Sequence, residues 1–294
     1  MIDRSQIPSQ ILTQTMEEAF TRQLSRRRFL RGTALTGAGF LLPSFLKLQP
    51  AEADRLGLQM PTVAQQKQVG QQGAAQVLQK YSEVTDGRAR HFKAIGERLV
   101  RALPASEQNT WDFNFHVLTS KEVNAFALPG GPMFMFTGLY EKLATDDAVA
   151  AVTGHELTHV REQHWAKAYA KQNREKLAIG AGIVLTAAPL SAAVLAVLAQ
   201  HALDRRYSRS EEDQADQGGL QDMIGAGYNP NGMLQLFATL EQVQKAEGGA
   251  PPVWLSDHPG TRARYQATQK RIAAYGANHT WPPETPLHYA KLLG

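Results

Sequence analysis

The chain has 294 residues, with 31 Lys+Arg against 27 Asp+Glu, no cysteine and 43% hydrophobic residues. The absence of cysteine excludes a disulfide framework, a thiolate metal site and a lipid anchor on cysteine, while the length suffices for one domain with a sizeable core. Residues 1–53 hold 7 of the basic and 4 of the acidic residues, so 24 and 23 remain; that remainder is almost neutral and makes no case for nucleic acid.

At the front, Ser25-Arg26-Arg27-Arg28-Phe29-Leu30-Arg31 resembles the twin-arginine export motif. A weakly apolar stretch follows over 32–46, and Ala51-Glu52-Ala53 supplies the small residues after which signal peptidase cuts. The expectation is a leader over 1–53 cleaved after Ala53, with 54–294 as a single domain exported to the periplasm. The stretch before Ser25 is long for a leader, which points to Met16 as the start.

Residues 65–103 read as two helices broken near Asp86-Gly87. Over 111–118, apolar and polar residues alternate as in a half-buried strand. Pro132-Met133-Phe134-Met135-Phe136 reads as a second strand after the Gly130-Gly131 pair, and Pro132, with no amide to donate, suits an edge or a strand start. Extended peptides commonly add to an exposed sheet edge, so this region is a candidate substrate site.

The most informative stretch is Thr153-Gly154-His155-Glu156-Leu157-Thr158-His159-Val160. Four residues of helix set His155 and His159 one turn apart on one face, where both imidazoles can meet one ion. Glu156 is rotated from His155 by about 100°, where its carboxylate can reach a metal-bound water rather than the metal. By residue frequencies the pattern arises by chance in roughly one chain in a hundred of this length. Here Val149, Ala150, Ala151, Val152 and Leu157 make the same helix apolar, as a buried active-site helix must be. A catalytic zinc takes three protein ligands and keeps a position for water. A third histidine at metzincin spacing would stand at 165, which is Trp165, so a carboxylate is left. The segment 207–216 offers several on a helix capped by Ser208 or Ser210.

Between these motifs, 177–199 is an uncharged run long enough to span a bilayer. It is rich in alanine and glycine with Pro189 at its middle, so a broken helical hairpin packed on the protein, buried or touching the membrane peripherally, is the reading preferred to a transmembrane helix. Further helices are expected at 210–226, 231–246 and 260–275, with Gly227-Tyr228-Asn229-Pro230 as a turn. Ser256-Asp257-His258-Pro259-Gly260 reads as a turn before the last of them. His164, five residues past His159, falls on another helical face and reads as structural. His91, His116, His201, His279 and His288 match no ligand spacing.

Taken together, His155-Glu156-x-x-His159 and Ser208-Arg209-x-x-Glu212-x-x-Ala215-Asp216 resemble the HtpX and CAAX-prenyl-protease family of zinc metallopeptidases, in its Oma-like and BepA-like soluble branch. Asn124-Ala125-Phe126-Ala127-Leu128-Pro129-Gly130-Gly131 and His258-Pro259 with Arg264 are similar to further elements of that family, in the family's order. The resemblance implies an α+β, mainly α, gluzincin-type domain with a small, mostly antiparallel sheet beside the zinc helix. It also implies one Zn2+ per chain held by His155, His159 and Glu212, with Asp216 orienting a ligand histidine; an ion pair with Arg209 is the competing role for Asp216.

Carried over in the same way, Glu156 is the general base and His258 and Arg264 stabilise the oxyanion. His258 has a second possible role as a latch on the zinc and a third as a plain turn. Asn124, Ala125, Phe126, Ala127, Gly130 and Gly131 line the substrate. The implied function is an exported zinc endopeptidase acting on unfolded or mislocalised polypeptides. Its rivals are a chaperone-like binder that rarely cuts and a membrane-anchored peptidase.

Overall fold

The computed structural model describes residues 60–178, 190–277 and 279–293. The expected leader, 1–53, lies outside the described residues, as do 179–189 of the uncharged run. The chain divides into two compact units, Met60–Ala170 with Thr186–Gly294, and Met1–Gln59 with Lys171–Leu185. Of the second unit only 171–178 are described, the end of a helix that begins at His164. The first unit holds every candidate residue.

Local chemistry places the helix starts. Helix α1 (Val63–Lys80) opens on a capping box in which Thr62 and Gln65 exchange side-chain and backbone hydrogen bonds. Helix α2 (Gly87–Ala102) starts at Asp86, whose Oδ1 accepts from the Arg88 amide, so the expected break near Asp86-Gly87 is present. A short α3 (Ala105–Gln108) leads to strand β1 (Asn114–Leu118), followed by β2 (Ala125–Ala127) and β3 (Pro132–Phe136).

The strands lie in the order β1-β3-β2, with β3 parallel to β1 and antiparallel to β2. The sheet is therefore mixed rather than mostly antiparallel. The chain reverses into β2 and again into β3, and two reversals return β3 to the direction of β1. Pro132 does begin its strand, but β3 is central and buried along its whole length, so the edge reading is wrong. The turn before it uses Gly130 at φ 85° and Gly131 at φ 132°. A Cβ on Gly130 would lie 2.4 Å from Lys67 Cα, and one on Gly131 2.6 Å from the Asp112 carbonyl carbon, so both positions need glycine for space as well as for conformation.

The remaining helices are α4 (Thr137–Tyr140), α5 (Asp146–Arg161), α6 (His164–Ala178), α7 (Ala192–Leu203), α8 (Arg209–Gly225), α9 (Asn231–Ala246), α10 (Val253–Asp257), α11 (Thr261–Gly276) and α12 (Tyr289–Leu292). Three of them match the expected 210–226, 231–246 and 260–275 to within one residue. Ser208, not Ser210, caps α8, in a capping box with Glu211. Among the described residues no helix is long and apolar enough to cross a membrane. The mainly helical architecture with a small sheet is as expected.

Helix α5 is the centre of the unit, buried from Asp147 to Val160 and packed on α2, α8, α9 and β2. Its contact with α8 is backbone to backbone at Gly154 and Gly219, and Gly218 makes room for the Thr158 side chain. A Cβ on Gly154 would lie 3.0 Å from Gly219 O, one on Gly219 2.7 Å from His155 N, and one on Gly218 2.6 Å from Thr158 Cγ2. Replacing a helical glycine by alanine ordinarily stabilises by about 0.5–1 kcal/mol. At Gly219 the methyl would meet a backbone that has no rotamer to yield, and overpacking costs about 1–3 kcal/mol. Gly219→Ala should therefore lower the urea midpoint without changing the slope of unfolding; a midpoint equal to or above wild type would show that the two helices do not touch here.

Candidate metal centre

Helical spacing on α5 sets His155 and His159 on one face, and the same spacing on α8 sets Glu212 one turn before Asp216. Because the helices meet at glycines, the two rows face each other at close range. His258, in the loop between α10 and α11, completes the group. His155, His159, Glu212 and His258 each offer one ligand atom within 4.8 Å of all the others. All four residues are buried, at no more than 3% exposure, so water does not compete for their lone pairs.

Donors held by one tetrahedral ion at zinc's bond lengths stand roughly 3.3–3.6 Å apart. His155 Nε2 and His159 Nε2 are 3.0 Å apart, and each lies 3.5 Å from a Glu212 oxygen. His258 Nδ1 lies 3.2 Å from His155 Nε2 and 2.9 Å from Glu212 Oε1. Two further observations fit a cation. His155 Nδ1 faces Asp216 Oδ1 at 3.0 Å, so the neutral ring keeps its proton there and aims the lone pair of Nε2 at the other donors. Glu212 Oε2 is buried without a hydrogen bond, although Arg264 Nη1 lies 2.6 Å away.

Charge supports the same geometry. Burial holds His159 well below the ordinary imidazole pKa, which keeps it neutral as a ligand must be. Burial alone would raise Glu212, but the nearby His258 and His155 hold its carboxyl well below the usual range. Burial opposes protonation of His258, yet Glu212 and Glu156 together hold its pKa up. Asp216 takes Arg264 in a two-pronged ion pair, Nε to Oδ2 at 2.7 Å and Nη2 to Oδ1 at 2.6 Å, so its partner is Arg264 and not Arg209. Arg264 also donates from Nη1 to the carbonyl of His258 at 3.2 Å. Its guanidinium thus binds the α8 carboxylates to the His258 loop.

Glu156 points to the other side of the cluster. Its Oε2 accepts from the Ala127 amide at 3.1 Å and its Oε1 from Trp254 Nε1 at 3.4 Å, while burial pushes its pKa up. Strand β2 is thereby set against the centre through Ala127, with Asn124, Ala125 and Phe126 leading up to it. Gly130 and Gly131 are not brought there. Their backbones abut Lys67 and Asp112 instead.

Two aromatic residues escaped the sequence reading. Trp254 stacks on His258 with centroids 4.5 Å apart and planes at 15°, and Tyr207 stacks on His159 at 3.7 Å. Trp254 lies four residues, one helical turn, before His258, a spacing that could have marked it; Tyr207 lies far along the chain from His159, and its adjacency to the Ser208 cap was its only signal.

Asp216 gives a test that does not depend on an ion. Its pairing lowers its pKa, so its contribution is fully present above the unfolded value of 3.8 and is lost as pH falls through the lower folded value. Asp216→Ala removes the two-pronged partner of a buried arginine and leaves it Glu212 alone as a counter-charge, and should cost up to about 3–5 kcal/mol at neutral pH. The gap between wild type and variant in denaturant unfolding should narrow below pH 4; a gap constant with pH would show that the pair is not formed.

Comparison with known proteins follows the same elements. The sequence profile of peptidase family M48 matches residues 86–272. The chain is 29% identical over 189 residues to a putative beta-barrel assembly-enhancing protease of Vibrio cholerae serotype O1, covering 62% of this chain and 38% of that one. It is 30% identical over 171 residues to the metalloprotease LoiP of Escherichia coli strain K12, covering 55% and 64%, and 30% identical over 200 residues to the mitochondrial metalloendopeptidase OMA1 of Schizosaccharomyces pombe, covering 64% and 57%. The chain thus spans less than two thirds of the length of each.

Proposed function

The chain belongs to peptidase family M48, and we propose that it is a zinc-dependent endopeptidase hydrolysing peptide bonds of unfolded or mislocalised proteins in the cell envelope. The observation that carries this reading is the buried convergence of His155, His159 and Glu212, with the carboxylate of Glu156 beside them. Imidazole and carboxylate donors suit zinc, one ion per chain. The relatives named as metalloproteases and as beta-barrel assembly-enhancing proteases support peptide-bond hydrolysis. Export by the twin-arginine route, which carries folded proteins, suits an enzyme that loads its metal before crossing.

When bound, zinc supplies a Lewis acid that polarises a carbonyl and acidifies water. The protein supplies the rest. Glu156, with its pKa raised by burial, takes a proton from the attacking water and returns it to the leaving amine, a role typically worth about 10² to 10⁴-fold. The edge strand β2 offers backbone groups to an extended polypeptide, with Ala127 nearest Glu156. Asp216, fastened by Arg264, holds His155 with Nδ1 protonated and so aims its Nε2. Arg264 is engaged with Asp216, Glu212 and the His258 carbonyl, which supports a positioning role for it and leaves the oxyanion to His258.

His258 also acts as a latch. Its Nδ1 takes a donor position among the ligands, and Trp254 covers both it and Glu156. Glu156 and His258 are each 2% exposed, so a polypeptide reaches them only after the α10–His258 segment swings out. Gly260, at φ 97° between His258 and α11, is a joint for that movement.

Cleavage of unfolded casein tests the reading. Chelation should abolish cleavage and added zinc restore it. Glu156→Gln should lower the rate by about 10² to 10⁴-fold with zinc content unchanged. His258→Ala should shorten any lag before cleavage, because the latch is gone, while lowering the steady rate, because the oxyanion loses its donor. The closed site favours one second reading, a binder that holds clients and rarely cuts. That reading requires casein binding without measurable turnover in both the wild type and the His258 variant.

A further inference from the structure

His164 has no place in the scheme above, yet it is 1% exposed and lies directly behind one of the candidate ligands. Were α5 continuous, a residue five positions past His159 would be turned about 140° away from it. The helix stops instead at Arg161, and Gln163 adopts φ 54°, in the left-handed region where a helix ends and which non-glycine residues seldom occupy. The chain bends there, and His164 begins α6 with its ring brought back against His159, at 4.9 Å between centroids and 72° between planes.

The contacts form a line. His164 Nδ1 lies 2.8 Å from His159 Nδ1, and His164 Nε2 lies 3.1 Å from Gln214 Oε1. Gln214 stands two residues after Glu212 on α8, and the His164 carbonyl accepts from Arg205, which also pairs with Glu211 at the start of that helix. His159 Nε2 faces His155 and Glu212. To serve as a ligand there it must present a lone pair, so the ring carries its proton on Nδ1, and that proton needs an acceptor. His164 Nδ1 accepts only if its own proton is on Nε2. Gln214 Oε1, which can only accept, holds it there. One assignment satisfies every atom in the line.

Resting on the peptidase reading, we infer that His164, backed by Gln214, is a positioning residue that sets the tautomer and ring plane of His159 for metal binding. The two candidate histidines are then supported differently, His155 by a carboxylate and His159 by a neutral imidazole backed by an amide. Outer partners of this kind typically alter metal affinity by about 10–100-fold.

Zinc affinity of the purified full chain, measured by competition with a chromogenic chelator, tests the inference. His164→Phe keeps a ring of similar size without an acceptor and should weaken zinc binding by about 10–100-fold, whereas His164→Gln restores an acceptor and should recover most of that loss. The thermal midpoints of the zinc-free forms separate this effect from general instability. Nitrogen-15 spectra of the zinc-loaded wild type provide a readout that needs no variant: His159 should be protonated at Nδ1, and His164 at Nε2 with Nδ1 bare. Zinc binding by His164→Phe as tight as wild type, or a proton found on His164 Nδ1, overturns the inference while the peptidase reading stands. A wild type that takes up no zinc sinks the peptidase reading, and this inference with it.

Discussion

The contact on which the structure depends is the one between α5 and α8 at Gly154, Gly218 and Gly219. A Cβ at Gly154 or Gly219 would meet the facing backbone, and one at Gly218 the Thr158 side chain, so larger residues there would hold the helices apart. With glycine there, a residue one helical step from the contact on α5 faces residues one and two turns back from it on α8, and that pairing is His155 with Asp216 and Glu212. The rest of the unit serves this approach. The burial of α5 among α2, α8, α9 and β2 keeps it from shifting, and β2 is fastened to it by the bond from the Ala127 amide to Glu156.

A second constraint is charge. Glu156, Glu212 and Asp216 are all buried around the same histidines, and buried carboxylates must be paired or neutralised. Arg264 answers Asp216 and Glu212, and His258 answers Glu212 and Glu156, which is why its pKa is held up against burial. The carboxylates that hold the His258 proton include the one placed to hold a cation. Positive charge on His258 and a cation in the cluster would thus draw on the same oxygens, which gives the proposed latch a physical basis. Trp254 adds a flat apolar cover to that segment, and Arg264 ties its backbone carbonyl to α8.

How far this was legible varied by residue. His155, Glu156 and His159 could be read because a single helix carries them and its repeat is fixed. Glu212 and Asp216 could be read as a pair on one face, but choosing Glu212 over its neighbours needed the family resemblance, since spacing inside α8 does not say which face meets α5. The partner of Asp216 was equally open, and contact with α11 decided for Arg264. His164 was misjudged because helical periodicity was extended past Arg161, where the left-handed turn at Gln163 ends it. The direction of β1 relative to β3 was missed because strand pairing joins residues some eighteen positions apart, and alternation within a strand says nothing of its neighbour.

By itself, then, the sequence determined whatever depends on a few consecutive residues: the helix break at Asp86, a serine cap at the start of α8, the mainly helical class, and the rows of side chains along α5 and α8. Short-range geometry of the backbone is enough for these, since capping bonds and a 3.6-residue turn are local. Only the tertiary structure decided that His258 joins the cluster, that Trp254 and Tyr207 cover it, that Arg264 holds Asp216, and that His164 stands behind His159. Each of those contacts joins segments whose separation along the chain, or whose change of direction, is set by how the helices pack and not by any pattern within either segment.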